Sequence, residues 1–459
     1  MRVAVAGAGI SGLAGALRLR ELGIDVSVFD RAPRAGGCIQ TMSESGFTLE
    51  LGPDSLLVEK PAARDLLARL NLERDVVAIR PEFRGARIVH RGRLRPIPSG
   101  FRLFTPASIP ALVTSGIFSA AGIARAAMEP FVPARRSADD ESLASFVTRR
   151  FGREVLDRLA QPLVGGIYSG DPQRLSMQAT LPQFVEMERK HGSLVRAMTA
   201  TKHSNALAPV QLMSLRGGLQ TIADAIAQRL GPAVSVSSEI VSLSRAGSGW
   251  AIGFADGSQT QADALICALP AYATAKLLRE VDPVLSELLE RIRYNSIATV
   301  NLAYDAADVP PLPPMSGFVV PFIEGRRITA ATVTSQKYPD RSPQDGMLLR
   351  AFIGGALQPE LVELPDAQLA QITRDEFAAL LGITAEPRFA LVRRWIRLLP
   401  EYGVGHAQLI SSIEGRVSNL TGLALAGSAF RGVGIPDCVA SGIEAAERLV
   451  HNGNPAKSG

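Results

Sequence analysis

The sequence predicts an α/β fold with a Rossmann-type unit at its N-terminus, a mixed α+β second domain and an inserted helical lobe. Three observations predict it. A strand pattern, a glycine-rich turn and a helix pattern follow one another at the start of the chain. A strand and a glycine-rich turn return before the last helix pattern. The 459 residues are also enough for two or three domains, each with its own apolar core.

The composition excludes several classes of protein. With 46% hydrophobic and 20% charged residues, this is an ordinary globular chain rather than a disordered, collagen-like or coiled-coil one. The net charge of +5 is too small and too scattered to indicate nucleic-acid binding. The histidines and cysteines never fall at ligand spacing, so we expect no metal site.

The cysteines also indicate the type of cellular compartment in which the protein works. Cys38, Cys267 and Cys438 are odd in number and far apart, which is typical of a reducing environment. The apolar run at residues 3–17 carries a glycine pattern that explains it better than a signal peptide does. We therefore expect a cytoplasmic protein.

The elements can be assigned in order along the chain. A strand at 3–6, a helix at 13–22 and a strand at 25–29 form a βαβ unit. An arginine-rich hairpin follows at 87–90 and 93–97, and the uncharged stretch 103–124 predicts a partly buried helix, with a membrane-touching lip as the alternative. Further helices are predicted at 141–159, 180–200, 273–293 and 366–381, in a segment ending at 230, and from residue 436 onwards. Further strands are predicted at 234–236, 240–243, 250–254, 264–268, 299–304, 317–321, 328–334, 347–354, 391–395 and 423–426.

The strongest local signal is Gly7-Ala8-Gly9-Ile10-Ser11-Gly12, which directly follows the first strand and opens the first helix. Its glycines allow a tight turn, a close backbone approach to a pyrophosphate and close helix–strand packing. Asp30 ends the second strand, where its carboxylate can accept hydrogen bonds from ribose hydroxyls. In this context the pattern predicts dinucleotide binding.

Three later turns favour FAD over NAD. Gly36-Gly37-Cys38 lies just beyond Asp30, and Gly52-Pro53-Asp54-Ser55 forms another turn. Near the other end of the chain, segment 426–438 ends a strand, supplies glycines and starts a helix. A helix start aimed at a flavin stabilises the negative charge that develops when the ring is reduced. Together the turns predict one long cofactor laid across several loops.

The paired chain ends, with segments 214–219 and 400–406, resemble FAD-dependent porphyrinogen oxidases of the flavin amine oxidase superfamily. The resemblance runs over nearly the whole chain, and its most specific pieces are 434–438 and 170–172. Two positions depart from the family's pattern. Cys38 replaces a basic or aromatic residue, and Asp30 replaces the more usual glutamate.

The resemblance implies oxidation of a porphyrinogen to the porphyrin in haem biosynthesis, by successive hydride transfers to non-covalent FAD, with oxygen as acceptor and release of peroxide. It slightly favours coproporphyrinogen III over protoporphyrinogen IX. No catalytic side chain is expected, because loss of a hydride from a meso carbon acidifies the pyrrole N–H. The resemblance also implies that the product is handed over to a ferrochelatase and that the protein contacts the inner face of the membrane peripherally.

Site residues follow from matching the motifs one by one. The substrate contacts implied are Arg87, Phe352, Gly165, Gly166, Asp54 and Lys60. The FAD contacts expected are Gly7, Gly9, Ile10, Ser11, Gly12, Asp30, Gly36, Gly37, Cys38, Gly52, Pro53, Asp54, Ser55, Ile240, Val241, Trp395, Ser428, Val433, Gly434 and Ile435. We expect the substrate slot to lie between the flavin and Arg87.

The domain assignment follows the same logic. FAD-binding parts are predicted at 1–75, 210–272 and 401–450, substrate-domain parts at 76–89 and 273–400, a helical, membrane-associating lobe at 90–209 and a polar tail at 451–459. Two alternatives remain open for the function. One is a flavin-dependent amine oxidase or a carotenoid desaturase-like enzyme on the same fold, and the other is a non-catalytic FAD-binding protein.

Overall fold

The computed structural model describes residues 1–57, 60–97, 101–106, 109–137, 139–200 and 212–453. Parts of the predicted helical lobe, the first residues of the 210–272 segment and positions 454–459 of the predicted tail therefore lie outside the described residues. Among the described residues, no helix combines the length and the apolar character that crossing a bilayer requires.

The strands and helices have the following bounds. The strands are β1 (Arg2–Ala6), β2 (Asp25–Phe29), β3 (Thr41–Glu44), β4 (Phe47–Glu50), β5 (Leu56–Leu57), β6 (Val76–Ala78), β7 (Ala86–His90), β8 (Arg93–Pro96), β9 (Phe101–Arg102), β10 (Thr105–Pro106), β11 (Leu212–Leu215), β12 (Val234–Ser235), β13 (Ile240–Ala246), β14 (Gly249–Phe254), β15 (Gln259–Ala262), β16 (Ala264–Cys267), β17 (Arg293–Asp305), β18 (Gly317–Val319), β19 (Ala330–Val333), β20 (Gly346–Gly354), β21 (Phe389–Glu401) and β22 (Leu423–Leu425). The helices are α1 (Ile10–Glu21), α2 (Pro61–Leu70), α3 (Ile109–Thr114), α4 (Ala120–Ala127), α5 (Leu143–Phe151), α6 (Arg153–Val155), α7 (Gln161–Tyr168), α8 (Met177–Thr180), α9 (Pro182–His191), α10 (Leu194–Ala200), α11 (Gln220–Leu230), α12 (Ala271–Leu278), α13 (Pro283–Glu290), α14 (Thr334–Lys337), α15 (Asp366–Leu381), α16 (His406–Val417) and α17 (Ile435–Gly453).

A five-stranded parallel sheet is assembled from three distant segments of the chain, in the order β12-β2-β1-β16-β22. Its inner strands are buried on both faces, which explains their continuous apolar sequences. Helices α1, α11 and α17 share an apolar cluster on one face. Helices α12, α13 and α16, with strand β14, share the cluster on the other. The result is a three-layer arrangement, as the Rossmann-type prediction requires.

The second large sheet has seven strands in the order β21-β17-β20-β19-β18-β7-β8. All its neighbours are antiparallel except β18 and β7, which are parallel. One face packs against α15 over a core that includes Phe318, Ala331 and Ala351. The helices between residues 109 and 200 form a further cluster, to which Ile88 of β7 contributes.

Several predicted elements are confirmed and several are wrong. The helix at 366–381 and the strand at 25–29 are confirmed with their predicted bounds. The helix predicted at 141–159 ends at Phe151, because Gly152 has φ of +96°. The helix predicted at 180–200 breaks at Gly192, where φ is +68°.

The predictions for 273–293 and 103–124 are also corrected. Asp282 caps a new helix by accepting a hydrogen bond from the Leu285 N–H at 2.9 Å, and Pro283 occupies the first helical position. The uncharged stretch forms the two short helices α3 and α4, with Gly116 at φ of +64° between them, instead of one helix. Strand β15 and helix α16 were not predicted.

The packing of helices α12 and α13 places them with the predicted FAD-binding parts, although the domain boundary was predicted at residue 273. They were predicted to begin the substrate domain at residue 273, but their buried side chains pack in the same cluster as β16 and β22. We propose that this boundary lies near Arg293, where β17 begins.

Candidate functional site

The first glycine turn is open at Gly9, where a ligand could bind, and tightly packed at Gly12. Gly7 has φ of +103°, and a Cβ atom on Gly12 would lie 1.9 Å from the Gly7 carbonyl oxygen. A Cβ on Gly9, in contrast, would meet no atom within 4 Å. Gly12 therefore serves helix–strand packing, and Gly9 faces open space in front of the α1 N-terminus. This cradle fits a pyrophosphate.

Asp30 is held beside this turn by its own carboxylate. Its Oδ2 accepts a hydrogen bond from the Ala8 N–H at 2.6 Å, and its Oδ1 accepts one from the Ala32 N–H at 2.8 Å. Each oxygen retains a lone pair for a ribose hydroxyl. The Ser238 N–H donates to the Asp30 carbonyl at 2.7 Å, so the segment leading to Ile240 and Val241 runs next to this carboxylate.

The second glycine turn packs directly on the first. Gly36 donates its N–H to the Ala8 carbonyl at 2.8 Å, and Gly36 and Gly37 have φ of +109° and +60°. Arg34 was not among the predicted site residues, yet its guanidinium donates to the carbonyls of Ala35 at 2.9 Å and Gly37 at 3.2 Å. Arg34 thus fixes the path of the turn. Burial, followed by the neighbouring Arg393, lowers the pKa of its guanidinium.

The third turn, residues 51–55, lies close to the second. A Cβ on Gly52 would lie 1.9 Å from the Cys38 carbonyl oxygen, so only glycine fits there. Burial raises the pKa of the Cys38 thiol, which keeps it neutral. The predicted FAD contact Trp395 donates from Nε1 to the Leu51 carbonyl at 2.8 Å and so supports this turn through its backbone.

Asp54 was predicted to contact both FAD and substrate, but the structure pairs its carboxylate internally. The Lys337 ammonium lies 3.0 Å from both carboxylate oxygens, and Arg350 Nη2 lies 3.2 Å from Oδ2. Burial alone would raise the pKa of Asp54, but the two cations outweigh it and hold the pKa well below its usual range. The Asp54 side chain is therefore engaged within the protein, and only its backbone is free for a ligand.

The C-terminal turn is held by two side chains that the site prediction did not include. The Tyr402 hydroxyl donates to the Ser428 carbonyl at 2.5 Å and accepts from the Gly432 N–H at 2.7 Å. His406 stacks on the Tyr402 ring, with centroids 4.1 Å apart, and its Nε2 lies 3.1 Å from the Phe430 carbonyl oxygen. Burial raises the pKa of Tyr402, so its hydroxyl keeps its proton. Segment 428–432 is thereby fixed at both ends and in the middle.

The two helices that start at the cradle cross in close contact. A Cβ on Gly442 of α17 would lie 2.0 Å from the Ser11 carbonyl oxygen of α1, and one on Gly15 would lie 2.8 Å from the Gly442 carbonyl oxygen. Because α1 follows β1 and α17 follows the parallel strand β22, both helix N-termini lie at the carboxyl edge of the sheet. Predicted contacts from both chain ends therefore meet there.

The predicted substrate contacts do not all come together. Phe352 is in register with Ala330, Val319 and Ile88, whereas Arg87 is in register with Phe318. Since side chains alternate along a strand, Phe352 and Arg87 point to opposite faces of the seven-stranded sheet. Arg87 is half-buried, and its Nε atom has no hydrogen-bond partner among the described residues.

The other three predicted substrate contacts lie in two places. Gly165 and Gly166 are in α7, next to the end of β20, because the Ala356 N–H donates to the Ser169 carbonyl at 2.8 Å. The Gly165 carbonyl accepts a hydrogen bond from the Ser169 N–H at 2.8 Å, so it is already engaged within the protein. Lys60 forms a 2.5 Å ion pair with Asp437 in the first turn of α17. It therefore links the start of α2 to the C-terminal helix.

Comparison with known proteins agrees with this geometry. Residues 10–450 match the family described as flavin containing amine oxidoreductase. The chain is 34% identical to the coproporphyrinogen III oxidase of Bacillus subtilis (strain 168), with 96% of each chain covered. It is 27% identical to protoporphyrinogen oxidase 2, chloroplastic/mitochondrial, of Arabidopsis thaliana, covering 98% of this chain and 94% of the relative.

Solved structures give the same result. A crystal structure of a protein from Exiguobacterium sp. 255-15 is 30% identical, superposes with a TM-score of 0.87 and covers 98% of both chains. Reduced UDP-galactopyranose mutase, at 16% identity and a TM-score of 0.77, shares the fold. FAD is therefore the cofactor, and the chain belongs to the flavin-containing amine oxidoreductase family, in the branch formed by the FAD-dependent porphyrinogen oxidases.

Proposed function

We propose that this protein oxidises a porphyrinogen to the corresponding porphyrin in haem biosynthesis, with oxygen as the final electron acceptor. One observation carries the proposal. Turn 51–55, one of the predicted flavin loops, lies next to Phe352, because Arg350 donates to the carbonyls of Glu50 and Gly52 and stacks on that ring, in a chain that matches porphyrinogen oxidases over nearly its whole length. The chemistry that FAD supplies when bound is acceptance of a hydride, with reoxidation by oxygen to give peroxide.

The protein's own contribution is orientation. Phe352 presents a half-buried ring on which a flat macrocycle can stack. Removing a hydride from a meso carbon leaves a cation whose pyrrole N–H is acidic, so a backbone carbonyl or a water molecule is a sufficient proton acceptor. Substrate binding then has to hold one meso C–H against the flavin and to exclude water.

We propose coproporphyrinogen III as the preferred substrate. It carries four propionates where protoporphyrinogen IX carries two, and the β7–β8 hairpin presents exposed arginines at 91, 93 and 95. The test supplies each porphyrinogen to the purified protein in oxygenated buffer and follows porphyrin fluorescence and peroxide. Oxidation of benzylamine or a polyene, with none of either porphyrinogen, would instead assign an amine oxidase or a desaturase. Failure of porphyrinogen to reduce the bound flavin under argon would assign a non-catalytic FAD-binding protein.

Arg87 was predicted to bind a propionate, but it points to the sheet face opposite Phe352, so the two side chains cannot line one slot. If substrate stacks on Phe352, we expect Arg87→Ala to leave the KM for coproporphyrinogen III unchanged. Arg84→Ala, in the loop just before the same strand, is the matched control. Equal KM values for the two variants would remove Arg87 from the site.

We also propose that the protein works in the cytoplasm, in peripheral contact with the inner face of the membrane. The three cysteines are unpaired, as a reducing compartment requires. Phe131, Met128 and Val113 of the helical lobe are 78, 58 and 57% exposed. Such apolar side chains insert into the headgroup region. We expect co-sedimentation with anionic vesicles that Phe131→Ser weakens, whereas Val284→Ser, at an exposed position on α13, leaves it unchanged.

A hand-over of the porphyrin to a ferrochelatase completes the proposal. A cleft of about 430 Å³ opens beside α7, and its rim carries the exposed side chains of Phe322 and Ile323. Gln161, which lines the cleft, lies beside Gly165, and this position suits a product exit. If the porphyrin is transferred directly, a protein that binds free porphyrin in solution should not change the rate of the reaction coupled to a ferrochelatase. A lower rate in the presence of that porphyrin-binding protein would contradict direct transfer.

A further inference from the structure

Three successive backbone carbonyls, at residues 50–52, are captured by side chains from the seven-stranded sheet. The donors, Arg350, Thr299 and Trp395, come from the adjacent strands β20, β17 and β21. Arg350 Nη1 donates to the carbonyls of Glu50 and Gly52 at 2.8 Å each, and Trp395 Nε1 and Thr299 Oγ1 donate to the Leu51 carbonyl at 2.8 and 2.9 Å. We call these three side chains the carbonyl clamp.

The clamp fixes the orientation of the peptide groups that follow residues 50, 51 and 52. Because the N–H of a trans peptide points away from its carbonyl, holding the Leu51 carbonyl towards the sheet turns the Gly52 N–H away from it, and this N–H has no acceptor among the described residues. Gly52 also approaches the Cys38 carbonyl too closely for any side chain. The free Gly52 amide is therefore held next to the second glycine turn, where the predicted flavin loops converge.

Arg350 makes further contacts that Thr299 and Trp395 do not. It is 3% exposed, and its guanidinium lies over the ring of Phe352, 4.6 Å from the centroid. Its Nη2 pairs with Asp54, and its Nε is buried without a partner among the described residues. Only a planar group with several donors can bind two carbonyls and a carboxylate while stacking on a ring. A lysine offers one compact charge and no plane.

We propose that Arg350 is a positioning residue that couples the flavin to the substrate ring: it fixes the backbone of residues 50–52, and with it the Gly52 amide, towards the flavin and, through its stacking, sets the angle of Phe352. The second half of this statement rests on the proposed function. The first half concerns FAD alone. The two halves call for separate measurements.

The experiment compares Arg350→Met and Arg350→Lys with Arg245→Met. Arg245 is a matched control because it also donates to two backbone carbonyls and stacks 4.6 Å above a ring, that of Trp250, in the β13–β14 hairpin. We expect Arg350→Met to weaken FAD binding to apoprotein by about tenfold or more, since two carbonyl hydrogen bonds are lost. The resolved shoulders of the flavin absorption band should blur as well, and Arg350→Lys should recover part of both effects.

A second measurement tests the coupling to Phe352. Binding of coproporphyrin III without turnover, followed by its Soret band, should weaken in Arg350→Met and stay unchanged in Arg245→Met. A variant that binds FAD with unchanged affinity and spectrum, but melts at a lower temperature, would overturn the proposal and leave Arg350 a structural residue. If Arg350→Met changes neither the affinity for FAD nor the flavin spectrum, the coupling is refuted. If the wild-type protein does not bind the porphyrin, the proposed function is refuted instead.

The other two clamp residues keep the proposal testable if Arg350→Met does not fold. Thr299→Val and Trp395→Phe each remove one donor to the Leu51 carbonyl and conserve most of the side-chain volume. We expect each to weaken FAD binding by a few-fold, and the double variant to weaken it more than either. Unchanged FAD binding and spectrum in the double variant would refute the role of the clamp.

Discussion

Removing the Tyr402 hydroxyl tests how much the C-terminal turn contributes to flavin binding. In Tyr402→Phe the ring remains, including its stacking on His406, but the hydrogen bonds to the Ser428 carbonyl and from the Gly432 N–H are lost. Each bond contributes about 0.5–1.5 kcal/mol, so the turn loses about 1–3 kcal/mol of its ordering. If FAD binds only the ordered turn, its affinity should fall by roughly 5- to 150-fold.

The assay is titration of apoprotein with FAD, followed by quenching of flavin fluorescence, with thermal unfolding measured in parallel. Tyr304→Phe is the matched control, since Tyr304 is also buried but lies in the core between the seven-stranded sheet and α15. An FAD affinity for Tyr402→Phe within twofold of wild type, despite a lower melting temperature, would refute the reasoning. The turn would then be held without Tyr402.

Three further predictions concern packing and buried charge. Gly442→Ala should push α17 from α1 and cause loss of FAD on gel filtration, whereas Gly415→Ala, with open space around its Cβ, should stabilise by about 0.5–1 kcal/mol in thermal melts. Asp54→Asn should cost about 3–5 kcal/mol in urea unfolding at pH 7, because it leaves a buried ammonium unpaired. Since the folded-state pKa of Asp54 is depressed, that difference should be full above about pH 4 and shrink as the pH falls further, and a pH-independent difference would contradict it. Arg150→Met should likewise lower the free energy of unfolding by about 3–5 kcal/mol, because it leaves the fully buried Glu129 carboxylate unpaired. A midpoint of denaturant unfolding equal to that of the wild-type protein would disprove this.

The part of the site that could be predicted from the sequence is the part made by local backbone geometry. The Gly7–Gly12 turn, Asp30 and the 427–438 segment are each readable because a strand, a turn and a helix follow one another within a few residues. Arg350 and Tyr402 could not be identified in the same way. Each acts on a backbone group that is distant in sequence, and a backbone carbonyl leaves no mark in the residue pattern.

Two other discrepancies have different physical causes. The breaks at Gly152 and Gly192 were visible in the sequence, but the apolar periodicity on either side outweighed them in the prediction. The face on which Arg87 lies depends on strand register across four strands, and a one-residue change in register reverses it. Such a property follows only from the assembled sheet.

The five-stranded sheet also constrains how the polypeptide matures during synthesis. Val3 pairs with Ala264, and β16 in turn pairs with β22, so β1 waits for partners that are synthesised much later. Contacts of such long sequence separation form slowly. The sheet therefore keeps an open edge beside β1 until β16 has been synthesised, and the cradle can accept its prosthetic group only once α17 has followed β22.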